Sequence, residues 1–404
     1  MFKAQLAALL LFIGSLQATI LDPGVEAATE GDPSSTLCDS VSILTGDFVV
    51  FSEDLVIDGV HPLRIHRHYA SGNGKGKYGG WEFFPHLEIK TKSYKKKPSK
   101  KFKRAIVREP NGTHLVFKKQ EKHSFDKGWV KFTIDFEKNG KGITNTSRGT
   151  ISGRANLKNY TLSQVTDHQL LLRCADGTKR TYTYSHKDNT EQKMPVFLLR
   201  KEIHPNGHKT FYQYDTHHRI EYIKNTNMEN SEIYAWCRFE YEDLFDSDTK
   251  TLYCKIETSD GRKLRYEFMC KGKTSKKPRY FLRSIQSPEL PEEFVTYDKI
   301  HGKIDHLVNA RVLPQGRNIR ADYSQGRVET LYQSVGERNE PIPTHKFVYN
   351  LEKNKPGSTD VYDAYQNKTT VCYSSRFLPQ EVLYYEQDRL HHSIQSIWDE
   401  NGQL

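Results

Sequence analysis

The residues best placed to do chemistry in this chain are histidines. His66 and His68 have equal parity, so on a strand they present two imidazoles to one face, and His61 lies close by in sequence. Such a pair could begin a metal site, but no cysteine or carboxylate stands at a spacing that would complete it. With 17 histidines in the chain, structural roles for these three are the expectation. His217-His218 and His391-His392 are neighbours whose side chains diverge on a strand. Asp243, Asp246 and Asp248 form an acidic run, yet the central glycine of a calcium loop is missing, so a solvated insertion is expected. No nucleophile elbow, phosphate loop, H-E-x-x-H or dinucleotide fingerprint occurs. The residues therefore predict no enzyme activity, no cofactor and no metal.

A second candidate is electrostatic. Lys90 to Arg104 holds nine basic residues and no acid, and it supplies much of the net charge of +10. Tyr94 and Phe102 are interleaved, a pattern that can track phosphate and stack bases. A like-charge block repels itself and stays solvated, which makes an exposed hairpin tip the default. The residues offered for contact with an anionic surface are Lys95, Lys96, Lys97, Lys100, Lys101, Lys103 and Arg104.

The leader decides which anion such a loop would meet. Lys3 followed by an apolar run over Ala4–Leu16, with small residues at Ala18 and Ala27, reads as a signal peptide over 1–27, and 28–40 as a linker. The chain is therefore expected to be exported (secreted, periplasmic or on the cell surface), where envelope lipid or polysaccharide is a better partner than nucleic acid. The apolar run is short for a membrane span, and the mature chain is expected to have none. Export also places Cys38, Cys174, Cys237, Cys254, Cys270 and Cys372 in an oxidising space. Their spacing fits no C-x-x-C pattern and selects none of fifteen pairings, so disulfides and buried thiols both stay open.

The elements that would carry these residues are strands. Twenty-three tyrosines and 20 phenylalanines in 404 residues favour pleated surfaces. Leu63 to Tyr69 alternates, with Leu63, Ile65, Arg67 and Tyr69 on one face and Arg64, His66 and His68 on the other. Further on, a turn glycine is repeatedly followed by aromatics five and seven positions later: Gly177 by Tyr182 and Tyr184, Gly207 by Tyr212 and Tyr214, Gly261 by Tyr266 and Phe268. At Gly316 the pair is Ala321 and Tyr323. Equal parity points both side chains to one face of a returning strand, so each unit reads as a β-hairpin that buries an aromatic pair against its neighbours.

These repeats resemble the YD repeats of Rhs and teneurin-like proteins. Gly207 through Tyr214-Asp215, followed by Arg219-Ile220, carries the fullest match. Tyr297-Asp298, the inverted Asp322-Tyr323 after Gly316, and Trp398-Asp399 give partial copies. The N-terminal part resembles the domain that precedes such repeats in bacterial Rhs proteins, through Thr45-Gly46-Asp47, Asp54, Pro62-Leu63, Arg67, Tyr69-Ala70-Ser71 and Gly79-Gly80-Trp81.

The resemblance implies an all-β fold, with an N-terminal β domain over 41–160 and a curled strip of hairpin repeats over 161–404. It also implies a containment role, in which the strip forms part of a shell around a C-terminal effector or toxin. Few repeats are present and the family's aspartate-based cleavage site has no counterpart, so the expectation is a truncated or split scaffold. Its partner would be a downstream Rhs core or toxin segment. The alternative is a surface module that binds carbohydrate or anionic envelope through the basic loop.

Overall fold

Strand-forming alternation is clearest at Lys263–Lys271, where Leu264, Tyr266, Phe268 and Cys270 are buried while Lys263 and Arg265 face outward. The same two-residue period recurs along the chain, and the computed structural model is built almost wholly of antiparallel strands. It describes residues 36–38, 40–74, 77–92, 104–108, 114–119, 130–134, 160–166, 168–184, 196–245, 250–271, 279–288, 290–300, 303–334, 340–350, 356–374 and 379–397.

A short pair, β1 (Thr36–Leu37) and β2 (Val41–Ser42), precedes a three-stranded N-terminal sheet of β3 (Val49–Ile57), β4 (Leu63–Ala70) and β5 (Trp81–Phe84). A single long ladder then begins with β6 (Glu88–Lys92), β7 (Arg104–Arg108), β8 (His114–Lys119) and β9 (Val130–Ile134). It continues through β10 (Thr161–Thr166), β11 (Gln169–Arg173), β12 (Lys179–Tyr184) and β13 (Val196–Ile203). Near its start the ladder folds back on itself. The first half of β13 pairs with β6 and the second half with β14 (Lys209–Tyr214), so β13 has three neighbours.

Beyond that fork the strip runs in sequence order. Its next strands are β15 (Ile220–Thr226), β16 (Ile233–Phe245), β17 (Lys250–Thr258), β18 (Lys263–Lys271), β19 (Arg279–Gln286) and β20 (Glu293–Ile300). They are followed by β21 (Lys303–Val312), β22 (Asn318–Ser324), β23 (Arg327–Ser334) and β24 (Ile342–Asn350). The last are β25 (Gly357–Asp363), β26 (Lys368–Tyr373), β27 (Pro379–Glu386) and β28 (Arg389–Gln395). Pairing places no sheet boundary at residue 160, because β9 pairs with β10. The residues grouped as 41–160 in the sequence reading are thus shared between the N-terminal sheet and the ladder.

The turns follow the glycines. Gly177, Gly207, Gly261 and Gly316 all have φ between 77° and 89°, the left-handed region that a side chain resists. An Asx contact assists three of them, with Asp176, Asn206 and Asp260 accepting from the backbone NH two residues on.

The core lies between the strip and the N-terminal sheet. Phe83 packs against Tyr266 at 5.3 Å and Phe268 at 5.2 Å between ring centroids, and Tyr78 lies 5.5 Å from Phe268. Trp81 Nε1 donates to the Tyr297 hydroxyl at 2.9 Å. Here the structure refines the picture of hairpins burying aromatics only against one another: at β18 the cover is supplied by β5 and the segment before it. Gly79 permits this close approach to the strip, since a Cβ there would stand 2.8 Å from the Phe281 ring of β19.

Candidate functional site

The alternation of β4 turns Arg67 inward beside Leu63, Ile65 and Tyr69, and its side chain is only 1% exposed. A buried guanidinium is tolerated only where its charge and its donors are matched. Arg67 Nε donates to Asp54 Oδ2 at 2.9 Å, and Nη2 donates to Glu293 Oε2 at 2.6 Å. Arg311 closes the far side, its Nη2 donating to Glu293 Oε1 at 2.8 Å. The Tyr266 and Ser52 hydroxyls donate to the two Asp54 oxygens, and the Arg67 guanidinium lies 5.3 Å from the centre of the Trp81 ring.

Two cations and two anions thus meet in one buried cluster. Asp54 and Arg67 come from the N-terminal sheet, and Glu293 and Arg311 from the strip.

Electrostatics follow from the matching. Burial opposes charge on Arg67, but Asp54 and Glu293 outweigh it and hold the guanidinium above its ordinary pKa. Burial likewise disfavours the Glu293 carboxylate, yet Arg67 and Arg311 pull its pKa below the ordinary 4.5. Tyr266 is pushed well above 10.0 by burial and by Asp54, so it remains a hydroxyl donor. A second cluster repeats the logic across β12, β13 and β14. Arg180 Nε donates to Glu202 Oε1 at 2.6 Å, and the Tyr212 hydroxyl donates to Oε2 at 2.6 Å. Burial also raises the thiols, Cys254 to about 12, so that these side chains stay protonated and pack as small apolar groups. Chemically, both clusters hold strands in register.

The repeat residues line one joint, made again and again. Tyr182, Tyr214, Phe268, Tyr297, Tyr323, Tyr373 and Tyr385 each pair opposite a β-bulge in the following strand, the extra residues being Arg200, Glu221, Arg283, Asn309, Glu329, Gln380 and His391. A bulge bends its strand and leaves a carbonyl off the ladder. In three successive units the next tyrosine satisfies it. Tyr297 donates to the Leu282 carbonyl at 2.7 Å, Tyr323 to Val308 at 2.6 Å and Tyr349 to Val328 at 2.8 Å. Tyr184 instead pairs with Phe197, and Asp298 is half-buried in β20.

The Tyr-Asp signature is a turn lock. Asp215 Oδ1 accepts from the His217 and Arg219 amides at 2.8 and 2.9 Å, and Oδ2 accepts from Arg219 Nε at 2.7 Å. Burial alone would raise its pKa, but these donors lower it. Asp363 makes the same contacts with Tyr365 and Asn367, so Tyr362-Asp363 is a copy that the sequence reading missed. Asparagine replaces arginine there, which hid the return half of the pattern.

The remaining candidates are dispersed. Lys95, Lys96, Lys97, Lys100, Lys101, Lys103, Trp398 and Asp399 lie outside the described residues, and Arg104 opens β7, half-buried. His66 stacks on Phe84 at 4.7 Å, and His68 contacts Glu82 at 2.8 Å. His61 stands apart, stacked on His204 at 3.9 Å. Among the described residues no group of three His, Cys, Asp or Glu side chains is arranged to hold a metal ion.

Fold and clusters together define a class: a repeat-built antiparallel scaffold with an N-terminal sheet moored along it. Residues 38–117 match a domain of unknown function, DUF6531, a span that takes in the N-terminal sheet and reaches β8. No curated protein matches the chain. Among solved structures it is similar to the Tc holotoxin pore of Photorhabdus luminescens, with 9% identity, a TM-score of 0.38, and 88% of this chain against 24% of that one. It is also similar to TcdB2–TccC3 without its hypervariable C-terminal region, with 11% identity, a TM-score of 0.33, and 81% against 18%. A porin-like protein from Bacteroides uniformis overlaps with a TM-score of 0.23 at 11% identity, covering 62% of this chain and 94% of that one. The chain thus spans about a quarter or less of the first two structures.

Proposed function

We propose that this chain is an exported, non-catalytic scaffold of the Rhs/YD-repeat kind, whose strip encloses or presents an effector carried on another segment. One observation carries the reading: along a ladder from β6 to β28 one joint recurs seven times from β12 onward, and the N-terminal segment is moored along it from β15 to β25. The moorings include Asn225 to the His61 carbonyl, Arg262 to the Val56 carbonyl, Val328 to Gly46 and Thr359 to the Ile43 carbonyl. An enzyme concentrates unusual side chains in one cleft. Here the buried polar groups are distributed along the strip and spent on register and curvature, which is what a container needs.

The test is to express the chain together with the product encoded immediately downstream and to challenge the purified material with protease. Retention of that product in a protease-resistant complex supports the scaffold. Digestion at the same rate with and without this chain overturns it.

A further inference from the structure

His61 meets two histidines from a distant part of the sequence, His204 and His208, where the β3–β4 loop (residues 58–62) rests on the β13–β14 hairpin. The His61 and His204 rings are stacked at 3.9 Å, 14° from parallel, and the His208 ring stands 5.9 Å from His61 at 63°. Stacked rings offer one another faces rather than converging lone pairs, so the arrangement does not suit a metal. It suits two neutral imidazoles.

Hydrogen bonding fixes the tautomers. His61 Nε2 donates to Asn206 Oδ1 at 2.7 Å. The single Thr210 proton goes to Asn225 Oδ1 at 2.7 Å, so Thr210 Oγ1 accepts from His204 Nε2 at 2.9 Å. Each ring therefore keeps Nδ1 as its proton acceptor. Asn225 Nδ2 in turn donates to the His61 carbonyl, which ties the His204 hydrogen-bond chain to the loop backbone. His208 Nδ1 lies 3.3 Å from the Tyr234 hydroxyl, and the Tyr234 ring packs against Gly59 of the same loop.

We propose that this cluster is an acid-operated latch: protonation of the His204 ring, stacked against His61, drives the β3–β4 loop off the β13–β14 hairpin. A charged His204 ring is disfavoured by burial and by the His61 ring stacked on it, and the carboxylates nearby are already engaged. The charged groups that face His204 are Glu202, Arg180 and Asp176. Glu202 is already shared by Arg180 and Tyr212, and Asp176 is held by the Thr178 amide and hydroxyl. On the loop side the carboxylate is Asp58, which is exposed; on the remaining wall stand His208 and the Tyr234 hydroxyl.

Burial already lowers the His204 pKa below 6.5, Glu202 opposing and His61 reinforcing the shift. A depressed histidine pKa leaves the contact intact above 6.5 and loses it as pH falls through the folded value. The latch therefore opens on acidification from 6.5 downward.

The experiment is hydrogen exchange of the full chain between pH 7.5 and 5.0, corrected for intrinsic rates. It compares residues 56–63 in the wild type, His61→Gln, His204→Gln and the double variant, with β4 as internal reference. The wild-type loop is expected to lose about tenfold in protection per unit of pKa depression across this range, while β4 is unchanged. His204→Gln and the double variant are expected to hold a constant level of protection, whatever its height, and His61→Gln to open with a shallower slope. A wild-type loop with flat protection, or variants that open with the same pH slope, overturns the latch.

Discussion

Arg67 concentrates the energetics of the N-terminal sheet in one side chain. Truncation by Arg67→Ala leaves the buried Asp54 without its cation and Glu293 with Arg311 alone, and unfolding by urea should show a loss of about 3–5 kcal/mol. Arg67→Lys retains the charge but loses the fork that reaches both carboxylates, so it should fall between alanine and the wild type. Acid offers an independent probe. Glu293 has a folded pKa below 4.5, so its contribution is present above 4.5 and is lost as pH falls through the folded value. Urea midpoints should therefore decline below pH 4.5 in the wild type, and Glu293→Gln should flatten that decline. This window lies apart from the histidine window that starts at 6.5.

At the scale of the element, the bulge-and-tyrosine joint makes a sharper prediction than burial alone. Tyr297→Phe, Tyr323→Phe and Tyr349→Phe keep the ring but strand the Leu282, Val308 and Val328 carbonyls. Each should cost about 1–3 kcal/mol by urea denaturation, whereas Tyr365→Phe, at an exposed turn position, should be neutral. Asp215→Ala removes three acceptor contacts from a turn and should cost about 1 kcal/mol in the same assay.

Much of this level was legible in the sequence, because parity and turn glycines are local signals. The offsets after Gly177, Gly207, Gly261 and Gly316 placed aromatics on strands, and Leu63 to Tyr69 already set Arg67 on an apolar face. The bulges were not legible, since an extra residue opposite Tyr297 or Tyr323 leaves no compositional mark. Nor were the partners of Arg67. Glu293 and Arg311 lie more than 200 residues away, and only the path of the strip brings them back to β4.

At the scale of the molecule, the aromatic stripe of the strip is also the floor of the N-terminal sheet. Tyr266, Phe268 and Tyr297 meet Phe83, Tyr78 and Trp81, so a chain begun at Leu87 would expose that stripe. Such a fragment is expected to bind an apolar dye and to self-associate; a monomeric fragment that binds no dye would show that the strip buries its own aromatics.

The most direct test of a scaffold moored through its N-terminal sheet is the double-mutant cycle of Arg67→Met and Glu293→Gln, read as urea unfolding free energies. Mooring predicts a coupling of about 1.5–3 kcal/mol between two residues 226 positions apart. Additivity within about 0.5 kcal/mol would contradict it.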